Sequence, residues 1–249
     1  MSKIYEALEN EQRRRRELEK PGITAIQEPY LVEQSHTTSP EVEEEMISLF
    51  YSIGSMVATK RGKVIQFVGS VEGEGTSTLV QEFGRISAVE LGKSVLLLKA
   101  DSNEPADEDF DAPTTSTTPD LEGLMRNGVP LEEVFSKSGD ACFFVCPISA
   151  RRNTTSSVLT SPRIDGVFQK LKEHFDLILV DTPPVSQSPH ALAICQKVDG
   201  VVLVIEAEKT REPVAESVKQ KITKAGGNIL GVVLNKRRYY IPTSIYSRL

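Results

Sequence analysis

The chain has 249 residues, 39% of them apolar, and a formal net charge of −6. That length suits one domain of about 200 residues with appendages, and the negative balance argues against a general nucleic-acid binder. No apolar run reaches the ~18 residues of a membrane span, and the opening MSKIYEALENEQRRRRELEK lacks the apolar segment of a signal peptide, so a cytoplasmic protein is expected.

Residues 1–20 read as a charged helix, with Ile4, Ala7 and Leu8 as a short apolar stripe ahead of Arg13–Arg16. The arginine run reads as a solvated helix face or as a contact to acidic lipid or a partner. Residues 21–40, with Pro, Gly, Ser and Thr, read as a linker. A helix is expected over 41–58, with Val42, Met46, Leu49, Phe50 and Ile53 on one side.

From Gly62 the pattern alternates. Strands are expected at 63–69, 95–100, 142–146, 177–181, 200–205 and 229–234, and helices at 77–91, 121–136, 157–174, 187–197 and 211–225. Most of the strands are continuous apolar runs (VLLLKA, LILVD, GVVLVIE, ILGVVLN), as required when both faces of a sheet are covered. The pattern predicts a doubly wound α/β fold with a mostly parallel sheet flanked by helices, of the phosphate-loop NTPase type, over 41–235. The segment 101–119, acidic and then rich in Thr, Ser and Pro, reads as an exposed mobile loop. Residues 236–249 form a basic, tyrosine-rich tail. Cys142, Cys146 and Cys195 are expected to be plain buried thiols. His190, after Pro189, reads first as a helix-start residue.

Two segments carry chemistry. VIQFVGSVEGEGTSTLV (Val64–Val80) is a strand, a Gly-rich turn and a helix start, the layout that holds phosphates on backbone N–H groups. Gly73, Gly75, Thr76, Ser77 and Thr78 are its candidate nucleotide-binding residues. The position between Gly75 and Ser77 that ordinarily carries lysine is Thr76, so the side chain that brings positive charge to the β- and γ-phosphates is missing. DLILVDTPPV (Asp176–Val185) is an apolar strand ending in Asp181, which together with Ser77 suits Mg²⁺ and its waters.

The motifs GEGTST, KADSNEP, DLILVDTPPV, NTTSSVLTSPRIDGVFQKLKEHFD and GVVLNKRRYYIP, in this order, resemble the bacterial tyrosine kinases of polysaccharide synthesis. The likeness extends over nearly all of residues 40–249, and SKIYEAL is similar to the opening of soluble members. It implies ATP or ADP with Mg²⁺ as cofactors and a catalytic base and metal site built from Asp101 and Asp181. Asn235 would be a retained cofactor-binding residue. Tyr239, Tyr240 and Tyr246 would be candidate phosphoacceptors. It also implies a membrane protein of polysaccharide chain-length control or export as partner, with peripheral placement at the inner membrane through that partner, and room for a catalytic kinase paralogue.

The sequence departs from the family at its charged positions. Thr76 replaces the loop lysine, Lys99 the first strand-end aspartate, and Asn103 and Glu104 the arginines that follow Asp101. His190 stands where a downstream aspartate is expected. Glu44 is kept in the helix that builds the family's ring, but Ile47 and Phe50 replace its arginines, which implies weak or no self-association. The expectation is a degenerate, pseudokinase-like regulatory or scaffold subunit of exopolysaccharide or capsule production. Two alternatives stay open: an active ATP-dependent tyrosine autokinase in which Lys99 replaces the loop lysine, and a partitioning-type ATPase. Lys99 is further expected either to find a carboxylate partner, Asp181 or Asp101, within about 4 Å, since a desolvated and unpaired lysine would be costly, or to point at the loop Gly73–Ser77 and bind an anion there with the backbone amides.

Overall fold

A computed structural model describes residues 39–59, 62–100, 120–127, 136–137, 142–149, 155–188 and 190–237. The expected N-terminal helix, nearly all of the linker, the segment 101–119 with Asp101, Asn103 and Glu104, and the tail tyrosines Tyr239, Tyr240 and Tyr246 lie outside the described residues.

Seven strands form one sheet: β1 Lys63–Gly69, β2 Val95–Lys99, β3 Ser136–Lys137, β4 Phe143–Pro147, β5 Leu177–Thr182, β6 Gly200–Glu206 and β7 Ile229–Asn235. Their spatial order is β3-β4-β2-β5-β1-β6-β7. All pairs are parallel except β3 with β4. The helices are α1 Pro40–Met56, α2 Thr76–Val89, α3 Leu121–Asn127, α4 Thr155–Leu159, α5 Ile164–His174, α6 His190–Ile194 and α7 Glu212–Lys224.

Both faces of the central strands β1, β2, β5 and β6 are buried, which is why these strands are mostly apolar. On one face Ile65, Phe67, Leu97, Leu177 and Leu179 pack with Leu79, Val80 and Phe83 of α2 and with Ile53 of α1. On the other, Val64, Leu96, Leu98, Ile178 and Val180 meet Ile164, Phe168 and Leu171 of α5. Val68, Val201 and Leu203 on that same face meet Ala191 of α6 and Val218 and Ile222 of α7. Each such fully buried side chain contributes about 1.5–3 kcal/mol, so these central strands are the rigid frame on which the strand ends are held.

Four local expectations are corrected. The helix expected over 121–136 is described only to Asn127, and Ser136–Lys137 is an antiparallel edge strand. The helix expected over 157–174 is two helices, α4 and α5. Pro162 separates them, because proline disfavours helical backbone at the residue before it. The helix expected over 187–197 is the short α6. Cys146 and Cys195 are buried, and burial pushes both thiols up, but Cys142 is exposed, in the bend just before β4.

In α1, Phe50 packs on the body of its own domain together with Met46 and Leu49, while its ring meets Tyr51 edge-on at 5.8 Å. No helix among the described residues is long and apolar enough to cross a membrane.

Candidate functional site

The right-handed crossovers place the carboxyl ends of the parallel strands along one edge of the sheet, where ligands bind in folds of this kind. The loop Ser70–Gly75 leaves β1 at that edge and opens α2. Gly73 and Gly75 adopt left-handed backbone, φ 85° and 80°, a conformation that side chains with a Cβ take up only under strain. At Gly75 there is also no room, since a Cβ would stand 2.5 Å from Asn235 Nδ2.

Helix α2 starts at Thr76 with Gly75 as its N-cap and no side-chain cap. The first backbone N–H bonded at this end is that of Leu79, which reaches Gly75 O at 3.0 Å. Among the described residues, the N–H groups of Thr76, Ser77 and Thr78 therefore have no acceptor. These orphan donors, at the positive end of a helix of 14 residues, form a cradle for an anion. The Ser77 hydroxyl is exposed at the same end, and it and the Asp181 carboxylate each offer oxygen, the donor type Mg²⁺ takes.

The loop is held by a residue that sequence reasoning did not single out. Glu74 is 1% exposed, and its carboxylate folds back into the turn. Oε2 accepts the N–H groups of Ser70, at 2.5 Å, and Val71, at 3.0 Å. Oε1 accepts the hydroxyls of Ser70, at 2.5 Å, and Thr210, at 2.6 Å. Buried charge is tolerated because four donors surround it. The loop thus divides its amides, with the first two given to Glu74 and those at the helix start left open. The signal in the sequence was an acidic residue between two glycines, in a turn expected to receive an anion.

A second group reaches the loop from β7. Asn235 Nδ2 donates to Glu74 O at 2.8 Å, and Lys236 Nζ donates to Gly73 O. Lys236 Nζ also lies 3.4 Å from Glu206 Oε2, which accepts from Lys209 Nζ at 3.0 Å. The hydrogen bond from Lys209, and after it that from Lys236, holds the Glu206 carboxyl below its ordinary value. The turn after β5 closes the other flank, where the Val185 N–H donates to Gly69 O at 3.0 Å and Gln187 Nε2 to Glu72 Oε2 at 2.6 Å.

Of the residues expected from sequence, Gly73, Gly75, Thr76, Ser77, Thr78 and Asn235 come together at the loop. Asp181 is the last residue but one of β5, directly beside Phe67 of β1 on one side and Lys99 of β2 on the other. Register puts Asp181 and Lys99 on the sheet face that α2 covers. Asp181 is 7% exposed, whereas Lys99 is half-buried. Among the described residues no carboxylate, Asp181 included, forms an ion pair with Lys99, and its other expected partner, Asp101, lies outside them. Half-exposure explains this, since an ammonium that keeps contact with water has no desolvation cost to offset. Lys99 is also separated from β1 by the whole of β5, about 10 Å across two strand spacings.

No family model matches the chain. It is 27% identical over 178 residues to the tyrosine-protein kinase CpsD of Streptococcus agalactiae, covering 71% of this chain and 76% of that one. It is 24% identical over 185 residues to the succinoglycan biosynthesis transport protein ExoP of Rhizobium meliloti, covering 73% of this chain and 23% of that longer one. Among solved structures, the kinase domain of the Escherichia coli tyrosine kinase ETK superposes with a TM-score of 0.66 at 21% identity, covering 80% of this chain and 78% of that one. By sequence motifs and by fold, the chain is a homologue of the bacterial tyrosine-protein kinases.

Proposed function

We propose that this chain is a nucleotide-binding, tyrosine-kinase-like subunit of bacterial exopolysaccharide or capsule production that does not itself transfer phosphate. The observation that carries the reading is the pairing of an open amide cradle at Thr76–Thr78 with a loop that contributes no cation to it. Backbone donors at a helix start suffice to hold a phosphate. Accelerating its transfer depends on charge placed where charge develops, and losing such a clamp costs orders of magnitude in rate. Ser77 and Asp181 would hold Mg²⁺ beside ATP or ADP, and Asn235 would lie at the nucleotide's margin. The names of the relatives support the pathway, and the succinoglycan biosynthesis transport protein among them supports a polysaccharide transport protein as partner. The chain would then sit at the inner membrane through that partner and serve as regulator or scaffold, beside a catalytic paralogue.

The test has two parts. Calorimetry should detect Mg²⁺-dependent ADP or ATP binding. The purified chain, incubated with labelled ATP, should incorporate no phosphate at Tyr239, Tyr240 or Tyr246. Incorporation would establish an active autokinase instead, and the observation that favours that second reading is Lys99, at the sheet edge and without an ion pair among the described residues. In that case Lys99→Met should abolish the labelling.

A further inference from the structure

We propose that Lys236 is the residue that sets this lysine-less loop for binding, by holding the Gly73 carbonyl from behind so that the loop amides face a phosphate-class anion. The inference rests on the reading of the loop as a nucleotide site and names how that site is kept in shape. In a trans peptide the C=O and the following N–H point in opposite directions. The Gly73 carbonyl is held by Lys236 Nζ and the Glu74 carbonyl by Asn235 Nδ2, at 2.8 Å. The N–H groups of Glu74 and Gly75 are therefore turned to the other side, in line with the open N–H groups of Thr76, Ser77 and Thr78 that begin α2. Successive amides presented this way, with left-handed glycines among them, form an anion-binding concavity.

The lysine is itself held for this task. Its φ is 58°, a left-handed conformation that a residue with a Cβ adopts only when its surroundings over-determine it. Its own N–H donates to Asn235 Oδ1 at 2.9 Å. Its methylene stem lies along the loop, with Cε 3.3 Å from where a Cβ on Gly75 would be. Glu206 Oε2, 3.4 Å from Nζ, restrains the ammonium at its outer end. The charge stands on the carbonyl side of the loop, away from the anion, so Lys236 acts through the loop amides and is a positioning residue. It reaches the loop across 163 positions of sequence, and the loop's own sequence gives no hint of it. The ligand class is set by the amides, which would take the diphosphate part of a nucleotide and treat inorganic pyrophosphate alike.

The experiment compares the wild-type chain with Lys236→Met and Lys236→Arg. Two quantities are read: the affinity for Mg²⁺-ADP and for Mg²⁺-pyrophosphate by calorimetry, and hydrogen exchange of the Glu74 and Gly75 amides in the unliganded protein by NMR. In Lys236→Met both affinities should fall by the same factor, about tenfold for one lost charge-assisted hydrogen bond. Both amides should exchange faster while the rest of the protein stays folded. Lys236→Arg, which still presents a cation to the carbonyl, should restore both readouts. Unchanged exchange in Lys236→Met would overturn the proposal. So would a loss confined to ADP, which would mean that the side chain touches the nucleoside directly. If the wild-type chain binds neither ligand, the nucleotide reading itself falls, and the exchange comparison still decides what Lys236 does.

Discussion

The two ends of the sheet are built from the same residue types to opposite effect. At the amino end, where β1 and β6 begin, the charges are closed on one another. Asp199 accepts the Val64 N–H through Oδ2 at 2.7 Å and the Lys172 ammonium through Oδ1 at 2.8 Å. Nearby, Asp176 accepts the Ser94 N–H at 3.0 Å. These carboxylates tie chain segments together. At the carboxyl end, Glu74 does the same for one half of a loop, but among the described residues the amides at the start of α2 are left without acceptors and Lys99 without an ion pair. Polar groups that are all consumed by the protein mark structure; polar groups kept open beside a rigid frame mark a place for something else.

The largest expected effect breaks the closed end. Asp199→Ala orphans the Val64 N–H and leaves Lys172, whose side chain is only 14% exposed, without its partner. Urea denaturation should register a loss of about 3 kcal/mol, while any nucleotide affinity of the native protein stays as it was. A parallel loss of affinity would mean that the two ends are not independent.

The next sharpens the open end. Thr76→Lys with Lys99→Asp returns the charge to the loop and the carboxylate to β2. Calorimetry should show Mg²⁺-ATP affinity rising by about ten- to a hundredfold, the worth of charged hydrogen bonds to phosphate. A double variant that folds but gains no affinity would show that these two positions do not limit the site.

The smallest effect is a titration. The Glu206 carboxyl is held below its ordinary value, first by Lys209 and then by Lys236, so folding favours its charged form. The stabilisation it lends the β6–β7 end is complete above the ordinary glutamate value of 4.5, and it is lost as pH falls through the lowered one. An NMR titration should place the Glu206 midpoint below 4.5 in the wild type and closer to 4.5 in Lys209→Met. A wild-type midpoint at or above 4.5 would contradict the arrangement described around it.

The central strands were legible in the sequence because burial on both faces demands an unbroken apolar run, and VLLLK, LILVDT and GVVLVIE have no other use in a chain of this charge. Strand β3 was not legible. Its two residues, Ser136 and Lys137, take their conformation from the neighbour β4 and carry no periodicity of their own. The break between α4 and α5 was written in Ser161-Pro162, but the apolar spacing on either side runs through it. At the site, the glycines and hydroxyls announced a phosphate loop because that backbone needs them. The tethers of that loop stayed hidden, since Thr210, Asn235 and Lys236 meet Gly73 and Glu74 only after more than a hundred intervening residues have folded. That Lys99 and Asp181, side by side in register, form no ion pair depends on how much water the strand end keeps, which register alone does not disclose.

Strand β7, from which Asn235 and Lys236 reach the loop, is the outermost strand of the sheet among the described residues, bonded along one side to β6 and carrying Val232 and Leu234 49% and 59% exposed. An edge strand is the most compliant part of a sheet and the first to fray. The loop's shape is thus suspended from the least supported beam of the frame, so its stiffness follows β7 rather than the buried strand β1 from which it springs. Slowing or hastening the fraying of that edge would tighten or slacken the loop from a distance, with no residue of the loop altered.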